Sequence, residues 1–144
     1  MNASWSVAVA GVFIWLGMAL AISFLEAPLK FRAPGVTLSL GLGIGRLVFR
    51  ALNSCEAVLA VVVAVGLFTW GPSAGVVAAF AVAAAALAIQ VVGVRPSLTR
   101  RSDAVLAGAP GAGEHRSRSH LVYVALELVK VVALAALGIL LFAG

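Results

Sequence analysis

Four long apolar runs, each broken by a few polar residues near one end, set the pattern of this chain. The first covers about residues 5–27 and runs into EAPLKFRAPG, where Pro28 and Pro34 are expected to interrupt a helix, because proline lacks an N–H and crowds the preceding turn. The second covers about 46–70 and closes at the turn GPS, residues 71–73. The third covers 74–94 and is expected to stop at Pro96, and the fourth covers about 119–142. Each matches the roughly 20 residues that a helix needs to cross a bilayer. The pattern predicts an all-α fold, a single four-span membrane domain over 1–144. Residues 97–118, rich in Arg, Ser, Gly and Ala, read as a mobile loop between the third and fourth spans.

The polar interruptions are not scattered. RLVFRALNSCEAV, residues 46–58, carries Arg46, Arg50, Asn53 and Glu56. HLVYVALELVKVV, residues 120–132, carries His120, Glu127 and Lys130. Only 14 residues separate Glu56 from Gly71. Such a stretch of helix rises about 21 Å, short of the roughly 30 Å hydrocarbon core, so Glu56 lies inside the membrane. Thirteen residues separate Lys130 from the final Gly144, which submerges Lys130 and Glu127 as well. Arg46 and Arg50 can snorkel to headgroups, and His120 lies near the interface. A charged group at such depth costs about 2.5–3.5 kcal/mol on insertion scales, so a partner or a function is expected. Arg46, Arg50 and Asn53 are spaced i, i+4, i+7, with Glu56 three further on, and share a helix face. His120 and Glu127 are seven apart, with Lys130 three further on. The expected arrangement is a polar stripe on each helix, the two stripes facing one another.

The two stretches also align. Leu47, Val48, Ala51 and Leu52 match Leu121, Val122, Ala125 and Leu126, and Phe49 meets Tyr123. Asn53 then falls on Glu127, and Glu56 on Lys130. Upstream, AISFLEAPLKFR resembles AIQVVGVRPSLTRR with one residue inserted. The chain thus reads as two parallel helical-hairpin repeats related about an axis along the membrane normal. The register places Glu56 and Lys130 at equal depth as an ion pair across the bundle, with Glu127 within reach of Arg50 and Asn53 as a bridge.

Composition agrees with this pattern. Charged residues make up 10% and hydrophobic residues 63%, against about 25% charged in soluble domains. The net charge of +5 comes from loops beside apolar spans, which reads as topology and lipid contact rather than nucleic-acid binding. Lys30, Arg32, Arg46 and Arg50 flank the first connection, and Arg95, Arg100, Arg101, Arg116 and Arg118 flank the third. By the positive-inside rule both connections are cytoplasmic and both termini lie outside, with Trp5 and Trp70 at the outer interface. The chain is expected in the cell inner (plasma) membrane. MNASW lacks a positive n-region, so the first run reads as a retained span rather than a signal peptide. Cys55 is the only cysteine and forms no metal or redox motif.

FLEAPLKFRAPG followed by GRLVFRALNSCE resembles the small four-span proteins grouped as transmembrane protein 205-like, a family of uncharacterised function. The residues that carry the resemblance are Pro28, Phe31, Arg32, Gly45, Phe49 and Asn53, together with Pro96 and His120. The resemblance implies a four-helix membrane bundle and implies no reaction.

The motifs argue against chemistry. There is no nucleophile elbow, phosphate loop or H-E-x-x-H motif. GLGIG, residues 41–45, lacks the strand of a dinucleotide site and reads as a flexible helix entry or a close-packing surface. His115 and His120 are five apart and do not share a helix face well, so no metal, haem or other cofactor is expected. Gly75, Ala79 and Ala83 repeat every four positions, a surface for close helix approach. The expectation is a non-enzymatic membrane protein with a cytoplasmic-side polar pocket that binds or passes a small anionic ligand or lipid headgroup. Its pocket residues are Arg46, Arg50, Asn53, Glu56, His120, Glu127 and Lys130. One alternative is an accessory subunit of a larger membrane complex or a homo-oligomer, with the cluster as a structural brace. A second is a membrane enzyme acting on a lipid-soluble substrate. Membrane lipids are the expected partners, and nucleic acid is not.

Overall fold

The computed structural model describes residues 2–111 and 118–144. Four helices in it are long and apolar enough to cross a membrane: α1 (Ala3–Arg32), α2 (Leu38–Trp70), α3 (Ala74–Leu106) and α4 (Arg118–Ala143). The protein is an all-α, multi-pass membrane bundle, the arrangement that satisfies every backbone polar group within its own helix. Local chemistry sets three helix starts. The side chains of Asn2, Thr37 and Ser73 accept from the backbone N–H groups of Trp5, Leu40 and Val76. Gly71, at φ 82°, ends α2 in the left-handed conformation and makes the tight turn into α3 possible.

The helices form a ring. α1 packs along α2 and α3 along α4, while α1 also meets α4 and α2 meets α3. α2 and α4 therefore sit diagonally. At the end near Trp5 and Trp70, whose rings meet edge to face at 4.4 Å, the interior is one apolar layer. It includes Trp5, Val12, Val63, Leu67, Val76, Leu137 and Leu141. A second layer follows, of Trp15, Ala83, Leu87, Ala133 and Leu134. Close approach of α1 and α2 depends on glycine. A Cβ on Gly66 would lie 2.9 Å from the backbone oxygen of Ser4, and one on Gly11 would lie 2.8 Å from Val63. Ala83, Ala79 and Gly75 do use their small size, on the face that α3 turns to the bundle: Ala83 is buried, and a Cβ on Gly75 would touch Leu140 at 3.7 Å.

Several helix ends differ from the sequence expectation. Pro28 and Pro96 do not stop their helices. α1 runs on to Arg32 and α3 to Leu106. In each helix a π-turn comes just before the proline, Ala21–Glu26 in α1 and Gln90–Val94 in α3. Ala27 N–H reaches back to Ile22 O and Arg95 N–H to Gln90 O, bonds one residue longer than α-helical ones. The wider turn gives room for a ring that would otherwise strike the carbonyl four residues back. Helix running through both prolines removes the main support for the repeat; what the two halves share here is a π-turn before each proline.

The helical part of α3 also takes up residues 97–106 of the segment read as loop; residues 112–117, with His115 and Arg116, lie outside the described residues. α2 begins at Leu38 rather than near residue 46, so GLGIG is helical. Gly41 and Gly45 are a packing surface: a Cβ on Gly41 would run into the Phe31 ring, and one on Gly45 would lie 2.7 Å from Lys30 Nζ.

Among the described residues every lysine and arginine except Lys130 lies toward the end opposite the Trp5–Trp70 pair in sequence order along the spans. On the positive-inside rule the orientation to be tested has both termini outside. A reporter active only in the cytoplasm, fused after Gly144, should be silent, and Ser73→Cys should be labelled by an impermeant thiol reagent from outside. Cytoplasmic reporter activity would reverse the orientation.

Candidate functional site

Below the two apolar layers the bundle interior turns polar, and all four helices contribute. Lys130 Nζ, on α4, is 2.6 Å from Glu56 Oε1 on the diagonal helix α2 and 3.0 Å from Glu127 Oε2 one turn away on its own helix. It also donates to Gln90 Oε1 of α3 at 2.9 Å. Gln90 Nε2 in turn donates to Glu127 Oε2 at 2.7 Å and to the Tyr123 carbonyl at 3.2 Å. Ser23 Oγ of α1 donates to the other Glu127 oxygen at 3.0 Å. Trp15 Nε1, also on α1, donates to Glu56 Oε1 at 3.0 Å. Glu56, Gln90 and Lys130 are fully buried and Glu127 is 1% exposed.

The site depends on the π-turns. Ser23 lies in the turn of α1, and Gln90 opens the turn of α3. Both donate to Glu127, one to each oxygen. A π-turn adds a residue to one helical turn and rotates the rest of the helix about its axis, which is how such bulges redirect side chains at functional sites. Toward the basic end the network closes with Tyr123 Oη donating to Asn53 Oδ1 at 3.3 Å, beside the edge-to-face pair of Phe49 and Tyr123 at 5.7 Å. Phe49 and Tyr123 correspond in the repeat register, as do Glu56 and Lys130.

Of the residues expected in the pocket, Asn53, Glu56, Glu127 and Lys130 come together as buried neighbours. Arg46 and Arg50 do not. Both are exposed, and Arg46 pairs with Asp103 on the helical extension of α3. The sequence reads that extension as loop, which hides this partner. Glu127 takes Lys130, Gln90 and Ser23 in place of Arg50, and Asn53 bonds Tyr123 rather than bridging the ion pair. His120 is half-buried at the head of α4, about 10 Å of helix rise before Glu127. Sequence reasoning misses four members: Trp15, Ser23, Gln90 and Tyr123. A signal for two of them is present, since Ser23 and Gln90 occupy the same place in AISFLE and AIQVVG. Trp15 lies in an apolar run and carries none.

The arrangement sets two carboxyl groups against one lysine, all three buried. Grooves of about 480 Å³ (Ala78, Val82, Val129, Val132) and 390 Å³ (Val7, Val62, Thr69) lie on the bundle surface, away from the cluster. Two buried polar atoms of the cluster are without a hydrogen-bond partner among the described residues, Glu56 Oε2 and Asn53 Nδ2. The fold and site together define a four-helix multi-pass membrane protein with a buried ionic core. No family model matches the chain, and no curated protein or solved structure matches it either.

Proposed function

We propose that this is a non-enzymatic protein of the cell inner membrane, a distant relative of the transmembrane protein 205-like group, whose ionic core binds or passes a small charged species. The observation that carries this reading is the convergence of Glu56, Gln90, Glu127 and Lys130 from three helices at a depth where lipid satisfies none of them. Intramembrane ionisable residues are costly and tend to mark ion paths. We take the species to be a cation or a proton, where the sequence alone pointed to an anion. The arginines that would attract an anion stand outside the core, while the core itself holds two carboxylates against one lysine. That balance favours a cation or a proton over an anion or a lipid headgroup. The same arrangement also supports a second reading, in which the cluster is a brace that fixes helix register in a subunit of a larger assembly.

Thermal unfolding of the purified protein separates the two. A species that binds only the folded state raises the midpoint in proportion to its concentration. Lithium, sodium and potassium chloride, inorganic phosphate and a pH series form the panel. The expected result is a midpoint that moves with one cation or with pH and stops moving in Glu56→Gln. A midpoint indifferent to the whole panel supports the brace.

A further inference from the structure

We infer that the species held in the core is a single exchangeable proton, bound at Glu56 Oε2 and reached from the basic end of the bundle. This rests on the proposed function and narrows it. The first observation is charge. Glu56 faces Lys130 and, through it, Glu127, with the Tyr123 phenol of the same helix also in electrostatic range of both carboxyls; the hydrogen bonds from α1 (Trp15, Ser23) and α3 (Gln90) come from groups that carry no charge. With both carboxylates ionised the cluster is left with one uncompensated negative charge, which a fully buried site tolerates poorly. One proton makes it neutral.

The second observation is where the donors are. Both oxygens of Glu127 are served, Oε1 by Ser23 and Oε2 by Gln90 and Lys130, as suits an ionised carboxylate. On Glu56 both Trp15 and Lys130 meet Oε1, and Oε2 is fully buried with no donor among the described residues. A carboxylate oxygen without a donor is where an O–H bond forms at least cost. The balanced step is the addition of one proton from water to Glu56 Oε2, converting carboxylate to carboxylic acid with no other bond changed. A metal cation is a poorer fit. Calcium takes six to eight oxygen ligands and magnesium six. Among the described residues no three His, Cys, Asp or Glu side chains stand together.

Access is one-sided. Toward the Trp5–Trp70 end, two dry layers including Trp15, Leu134 and Leu137 close the core. Toward the other end stands Glu26, three residues beyond Ser23 in the same π-turn. Its side chain is 31% exposed, and its Oε2 has no hydrogen-bond donor among the described residues, Lys30 Nζ standing 3.7 Å away. Ser23 Oγ donates to Glu127 Oε1, and Glu26 follows three residues on in the same π-turn, so α1 carries polar groups from the core toward the basic end.

Infrared difference spectroscopy of the full chain in lipid tests this, reading the C=O stretch of a buried protonated carboxyl at neutral pH and its downshift in deuterated water. The expected result is the band of one carboxyl per chain, exchanging with solvent deuterium. It should be lost in Glu56→Gln. It should also be lost in Glu127→Gln, where Lys130 alone balances Glu56 and the proton leaves. The second variant keeps the test sound if the first folds poorly. A wild-type chain without the band overturns the inference, and so does a band that persists in Glu56→Gln. If the band is absent while sodium or potassium moves the melting midpoint, the inference fails and the proposed function stands. A band that never exchanges defeats both.

Discussion

Lys130→Met is expected to destabilise the bundle by about 3–5 kcal/mol, the usual cost of removing one member of a buried ionic group. Methionine keeps an unbranched stem in a fully buried position, so packing changes little. The loss is that of the ammonium, which holds Glu56 at 2.6 Å, Glu127 at 3.0 Å and Gln90 at 2.9 Å. Glu127 then has no cation beside it, and Glu56 Oε1 loses one of its two donors. Glu56→Gln alone should cost less, because Lys130 keeps Glu127 as its counter-ion. The double variant should cost less than the sum of the two, with a coupling of about 0.5–3 kcal/mol between residues in one network. Reversible unfolding of the four proteins in one detergent or lipid system gives the cycle. Strict additivity would mean that Glu56 and Lys130 do not act on each other, and the core as described would not hold.

The second large effect is expected at Gln90. Its side chain is fully buried and makes three hydrogen bonds, two as donor and one as acceptor. Gln90→Leu keeps most of the volume and deletes all three. Each deserted buried partner costs about 1–3 kcal/mol, more where it is charged, and two of the three belong to Lys130 and Glu127. The loss should exceed about 2 kcal/mol. By contrast Ile89→Leu, next in sequence and half exposed toward lipid, should be nearly silent. Equal stability of the two variants would show that Gln90 does not organise the core.

Position along the spans was legible in the sequence, and the three charged members of the core follow from it. Counting residues to the turn at Gly71 puts Glu56 well within its span, and the repeat register pairs it with Lys130 without any knowledge of contacts. The same counting cannot place the arginines. Arg46 and Arg50 share the sequence face of Asn53 but precede it on α2 toward the basic end and are exposed, their long side chains turned outward. Polar residues on one stripe do not all face the same neighbour once the stripe is longer than the interface.

The sequence by itself determined the class: four spans, their order, the end that carries the basic residues, and the depth of the three buried charges. Those depend on composition and length along one chain, and hydrophobic thickness is the same for every helix. Only the tertiary structure decided the membership of the core. Pro28 and Pro96 read as stops because a proline ends an ordinary α-helix. The π-turns before them, at Ala21–Glu26 and Gln90–Val94, let both helices continue and bring Ser23 and Gln90 to the two oxygens of Glu127. Such a turn depends on what the neighbouring helices offer in return for one weakened backbone pattern, here two hydrogen bonds to a buried carboxylate. Trp15 joins Glu56 for a similar reason: its ring fills an apolar layer and its single N–H points into the next one. Contacts between distant segments, rather than local periodicity, supplied these members.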